Sequence, residues 1–163
     1  MSLSRAMPTL GKHTAVIGCL IHAPIFGELS VMPRGAVVFN SDGVITSILD
    51  QRQEDVLQQL GTRGDIEHCV DYGDAIVCPG LIDAHCHAPQ YVFTGTGMDL
   101  PLLSWLEKYT FPCESKFQDT GFARLAYGKA VRRHLSFGTT FASYFGTIHG
   151  EAADVLVDTV EEW

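Results

Sequence analysis

The feature that most constrains this chain is the run Pro79-Gly80-Leu81-Ile82-Asp83-Ala84-His85-Cys86-His87. A Pro-Gly break leads into a short apolar segment that closes on two histidines one residue apart. In a β-strand successive side chains alternate between faces, so His85 and His87 project together. Zinc accepts imidazole nitrogen at about 2.0–2.1 Å, and two imidazoles on one strand end form one edge of such a site. The same alternation puts Asp83 on the face of the histidine pair and turns Cys86 to the opposite face as a small packing residue. A ligand pair at a strand's C-terminal end is also where barrel enzymes place their chemistry.

The flanking sequence sets the context. Thr14–Ile21 and Gly35–Phe39 are β-branched and apolar, as strands require. Asn40-Ser-Asp-Gly43 is a turn signal, and Val44–Ile48 after it completes a hairpin. A helix is expected over Asp50–Leu60, stopped by Gly61, before Ile66–Cys78 returns to strand character. Downstream of His87 the pattern changes. A loop is expected over Ala88–Asp99, then a helix from Pro101 to about Tyr109 ended by Phe111-Pro112. Leu102, Leu103, Trp105 and Leu106 would pack one side of it, with Phe111 also taken as core. Asp119 suits the N-cap of a longer helix closed by Gly138, whose stripe Ala123, Tyr127, Val131 and Leu135 recurs every four residues. Thr139–Phe145 is a buried strand candidate. Glu151–Trp163 is helical, with Ala153, Leu156, Val157 and Val160 apolar. Strand, helix, strand, helix is the order of a parallel α/β sheet. The chain stops inside that last helix, which is the expectation for a C-terminally truncated product.

Composition narrows the function classes. The 163 residues suffice for about one domain and part of another. A formal net charge of -8 argues against nucleic acid or an anionic membrane as partner. The five cysteines are odd in number and contain no CxxC, so reduced thiols in a cytoplasmic protein fit better than a disulfide framework. Residues 1–12 lack a signal-peptide pattern. The longest apolar stretch, Ala15–Phe26, is broken by His22 and Pro24 and is too short to span a bilayer. His149-Gly150-Glu151 has the HxE spacing of cytidine-type zinc deaminases but lacks the PCxxC that must follow it. His22, His68 and His134 stand isolated and read as surface or satisfied core residues.

The PGLIDxHxH pattern after a β-rich lead segment resembles the metal-dependent amidohydrolase superfamily. The likeness narrows to its guanine deaminases through His85–Tyr91, Met98–Pro112, Gly138-Thr139-Thr140, Tyr144-Phe145 and Thr147-Ile148-His149. It covers roughly residues 14–160, and the Asp99-Leu-Pro-Leu-Leu-x-Trp-Leu106 block is its most specific part. The resemblance implies an α/β fold: the start of an amidohydrolase-type TIM-like barrel preceded by a partial β-sandwich, incomplete in this chain. Residues 1–78 would be the N-terminal part of the small β-sandwich domain, and residues 79–163 the first βαβα portion of the barrel.

By the same resemblance His85 and His87 match the first two ligands of Zn2+. Gln90 matches the residue that hydrogen-bonds the purine, with His87, Ala88 and Pro89 on the same pocket edge. The implied reaction is hydrolytic deamination of guanine to xanthine and ammonia. The remaining ligands and the proton-shuttling Glu come from later barrel strands, so no catalytic residue falls within this segment. The implied partner is a small-molecule substrate, and the complete protein would be a cytoplasmic homodimer binding neither nucleic acid nor membrane. A non-catalytic isoform or interaction fragment, and an amidohydrolase for another amino-heterocycle, remain alternatives.

Overall fold

A computed structural model describes residues 12–52 and 55–163, in two compact units, Met1–Pro79 and Gly80–Trp163. The signal-peptide expectation, on residues 1–12, falls almost wholly outside the described residues.

In the first unit, strands β1 (His13–Ile25), β2 (Glu28–Asn40), β3 (Ile45–Asp50) and β4 (Ile66–Val77) form one sheet in the order β3-β2-β1-β4. The β1–β2 and β2–β3 pairs are antiparallel, and β4 joins β1 in parallel. The expected hairpin is the β2–β3 pair. Asn40 Oδ1 accepts the backbone N–H groups of Asp42 and Val44 there, and Gly43 takes the positive φ of 77° that the turn needs. Both long strands run past their expected ends and meet at a second turn containing Gly27, which the apolar run through Phe26 hid. Helix α1 (Val56–Thr62) starts later than expected, because Asp55 is its N-cap and accepts Gln58 N–H at 3.0 Å. Gly61 lies inside it rather than ending it. Val56 and Leu60 close over Ala15, Ile17, Ala36 and Val38, all of them buried.

In the second unit, β5 (Leu81–His87) pairs in parallel with β6 (Thr139–Phe145). Parallel neighbours need a long crossover, and helices supply it. Residues Ala88–Phe93 form a 3-10 helix where a loop was expected. A continuous helical stretch then runs through α2 (Leu102–Trp105), a π-helical segment (Leu106–Thr110), α3 (Phe111–Glu114) and a 3-10 turn (Ser115–Gln118). Pro112 was expected to end this stretch and does not. It sits in the first turn after the π segment, where its missing N–H breaks no established α register. Leu102, Leu103 and Phe111, expected to be packed, are exposed. Trp105 is half-buried, and its Nε1–H donates to the Thr96 carbonyl at 2.8 Å.

Helix α4 (Thr120–Ser136) begins as its sequence predicts, with Asp119 Oδ1 accepting the N–H groups of Gly121 and Phe122. Ala123, Tyr127 and Val131 are buried, but Leu135 at the helix end is exposed. Helix α5 (Gly150–Glu161) packs on α4 through Ala152, Leu156 and Thr159, so its buried face is offset from the expected Ala153, Val157 and Val160. The core joins Ala88, Phe117, Tyr127, Val131 and Leu156. Strand β6, expected to be buried, leaves Phe141 and Phe145 exposed, because this sheet contains two strands. Among the described residues no helix is long and apolar enough to cross a membrane.

Candidate metal centre

The entry to β5 is set by close backbone approach. A Cβ on Gly80 would overlap the side chain of Thr140, so only glycine lets the two strands start side by side. Leu81 N–H then donates to the Gly138 carbonyl at 2.7 Å. The register runs Leu81 to Thr139 and Asp83 to Ala142, then Cys86 to Tyr144 and His87 to Phe145. Between Asp83 and Cys86, β5 uses one residue more than β6 does, which is an irregularity of the bulge type.

Beyond it, His85 and His87 share one face. Their Nε2 atoms lie 3.1 Å apart, with ring centroids at 5.1 Å. Two nitrogens bound tetrahedrally to one zinc ion at about 2.0–2.1 Å stand about 3.3 Å from each other. The pair therefore comes close to the spacing that zinc needs. Phe145 backs both rings, with centroid distances of 4.7 Å to His85 and 4.8 Å to His87. Its ring lies nearly parallel to that of His87, at 14°.

The bulge corrects the expectation for Asp83. Simple alternation put its carboxylate beside the histidine pair. The extra residue reverses the parity, and Asp83 instead joins Cys86 on the other face. There Asp83 Oδ2 and Cys86 Sγ each lie 3.6 Å from Nε2 of His134, a residue of α4. Asp83 Oδ1 accepts the His85 N–H at 3.1 Å, tying the two faces together. His134 Nδ1 is 2.9 Å from the Tyr144 hydroxyl. Both ring nitrogens of His134 therefore have partners, with Cys86 Sγ among them. Burial, with Asp83 adding to it, pushes the Cys86 thiol above its ordinary range. Burial pushes the Tyr144 hydroxyl up to about 12, with Cys86 and Asp83 contributing. For His134 the sequence offered only its helical position, and for Tyr144 its strand parity and its place in the family-like Tyr144-Phe145 pair, none of which shows their contact without the register.

The other expected site residues follow directly. Ala88 and Pro89 are buried, with Ala88 packed in the core beneath α4. Gln90 is partly exposed in the 3-10 helix, and its carbonyl accepts the Thr94 hydroxyl at 3.2 Å. Sequence inspection missed Phe145 as a neighbour of the histidines.

Comparison with known proteins places these elements. Residues 76–163 match the amidohydrolase family. A guanine deaminase of Dictyostelium discoideum is 44% identical over 153 residues, which cover 89% of this chain and 34% of that protein. A crystal structure of guanine deaminase from C. acetobutylicum with bound guanine in the active site superposes with a TM-score of 0.76 at 30% identity, covering 93% of this chain and 34% of that one. An adenosine deaminase from Xanthomonas campestris, solved with bound zinc, gives a TM-score of 0.71 at 25% identity, with 93% of this chain and 32% of that one covered. The chain thus spans about a third of the length of the relatives it matches.

Proposed function

The chain belongs to the amidohydrolase family, and from that premise we propose that it carries part of the zinc site of a guanine deaminase-like aminohydrolase. The whole protein would hydrolyse guanine to xanthine and ammonia. The observation that carries this reading is the convergence of His85 and His87, whose Nε2 atoms stand 3.1 Å apart at the end of β5. These two imidazoles would hold the ion, and Phe145 behind them limits how their rings turn. When bound, zinc supplies a Lewis acid that activates water near neutral pH.

The chain's own contribution is holding and orienting. Gln90 offers one carboxamide acceptor and two donors to a purine that bears both kinds of group. Ala88 and Pro89, both buried, would anchor the start of the 3-10 helix that carries Gln90. In the same reading residues 1–78 are the first part of a small β-sandwich and residues 79–163 the first part of the barrel. Two imidazoles leave a zinc ion's coordination unfilled, so turnover by this chain alone is not expected. The five unpaired cysteines support a cytoplasmic setting. The substrate is a small molecule, and the complete enzyme would work as a homodimer.

Two measurements test this. Zinc added to the chain should shift the imidazole resonances of His85 and His87 together, and unchanged resonances would overturn the site. In a longer protein that contained this segment, guanine loss and ammonia release should vanish in His85→Ala and His87→Ala. Turnover of adenosine or another amino-heterocycle, with none of guanine, would overturn the substrate assignment.

A further inference from the structure

Behind the histidine pair lies a second group of ligating side chains that the proposed reaction does not use. Asp83 and Cys86 come from β5 and His134 from α4, and one ligating atom from each lies within 4.8 Å of the other two. We propose that Asp83, Cys86 and His134 form a second, separate site for a thiophilic divalent cation of the zinc type.

The two distances to His134 fit such an ion. A thiolate sulfur at about 2.3 Å and an imidazole nitrogen at about 2.0–2.1 Å from one tetrahedral zinc ion stand about 3.6 Å apart. Cys86 Sγ and His134 Nε2 are separated by 3.6 Å, and Asp83 Oδ2 lies 3.6 Å from the same nitrogen. Three protein ligands leave the fourth position to water. Binding would displace the Cys86 thiol proton to solvent, and the resulting thiolate and the Asp83 carboxylate together would carry two negative charges that balance the ion. The thiolate also selects against magnesium and calcium, which prefer oxygen ligands.

Two of the three ligands, His134 and Asp83, are oriented by a partner outside the cluster. The Tyr144 hydroxyl bonds His134 Nδ1 at 2.9 Å, which leaves Nε2 facing Cys86 and Asp83. The His85 N–H holds Asp83 Oδ1 at 3.1 Å, which leaves Oδ2 facing the same point. Metal-binding histidines characteristically bond a second group through the other ring nitrogen. The ligands also sit on a strand and a helix rather than on loops, so little reorganisation is needed to bind. The two sites lie on opposite faces of β5, and this one does not depend on the proposed deaminase activity.

The test uses the chain with His85→Ala and His87→Ala, reduced and free of metal, titrated with Co(II). A thiolate-to-cobalt charge-transfer band should appear and saturate at about one equivalent. Cys86→Ser in the same background should abolish the band, and His134→Gln should weaken binding about ten-fold or more. Absence of the band, or its persistence in Cys86→Ser, would overturn the site. Alkylation of the unaltered chain tests it without any variant. Zinc should slow modification of Cys86 about ten-fold or more while the exposed Cys69 and Cys78 react as before, and magnesium should protect none of them. Equal rates at Cys86 with and without zinc would overturn the site. If the paired-histidine site fails instead, the His85 and His87 resonances stay still while the cobalt band remains.

Discussion

The ring of Phe145 stacks on that of His87, with centroids 4.8 Å apart and planes 14° from parallel. The two residues are register partners across the parallel β5–β6 pair, so one strand supplies the imidazole and its neighbour the surface that steadies it. Phe145→Ala should therefore weaken zinc binding by the histidine pair about ten-fold, in line with losses of outer-shell support at metal sites. Calorimetric titration checks this, and unchanged affinity would show that Phe145 does not orient the rings.

The start of β5 tolerates no side chain at position 80. Gly80→Ala would push a methyl group into Thr140, and overpacking of this kind costs about 1–3 kcal/mol. Urea unfolding of the variant should show a lower midpoint with an unchanged slope. An unshifted midpoint would mean that β6 moves aside freely.

Phe117 is fully buried and meets Phe122 edge-on and Tyr127 at a centroid distance of 4.9 Å. Truncating a buried aromatic costs about 3–5 kcal/mol. Phe117→Ala should thus unfold much of the second unit at room temperature, read by near-ultraviolet circular dichroism, while Phe117→Leu should retain most of the signal.

Stability of the first unit should fall in acid. The Arg63 guanidinium holds the Asp65 carboxyl down to about 2, below the ordinary carboxylate range, with Nη2 to Oδ2 at 2.8 Å. A carboxyl whose pKa is lowered on folding contributes stability that is complete above its unfolded value and is lost as pH falls toward the folded one. The loss belongs between about pH 4 and pH 2. Asp65→Asn should flatten the dependence of melting temperature on pH in that window by about one proton's worth of slope. An unaltered slope would show that the ion pair does not persist in solution.

Parts of this molecule were legible because they follow from local periodicity. Ala123, Tyr127 and Val131 lie on one face of any helix, and Asp119 caps it through its own carboxylate. His85 and His87 lie on one face of any strand. The Asn40–Gly43 turn carries its own hydrogen bonds. Other parts depended on partners distant in the chain. Pro112 looked like a helix stop, yet a π-helical turn before it absorbs the missing donor. Leu102, Leu103, Phe111 and Phe145 are apolar and yet exposed among the described residues, because sequence periodicity does not specify how many neighbours an element has.

The sequence by itself determined the strand that ends in paired imidazoles, the helix that follows it, and the family these mark. Side-chain alternation and helical periodicity are properties of the backbone and need no partner. Only the tertiary structure decided which face Asp83 takes, because the bulge arises in the pairing of β5 with β6. Only that pairing and the packing of α4 bring His134 and Phe145, from opposite sides, to the strand that holds the two histidines.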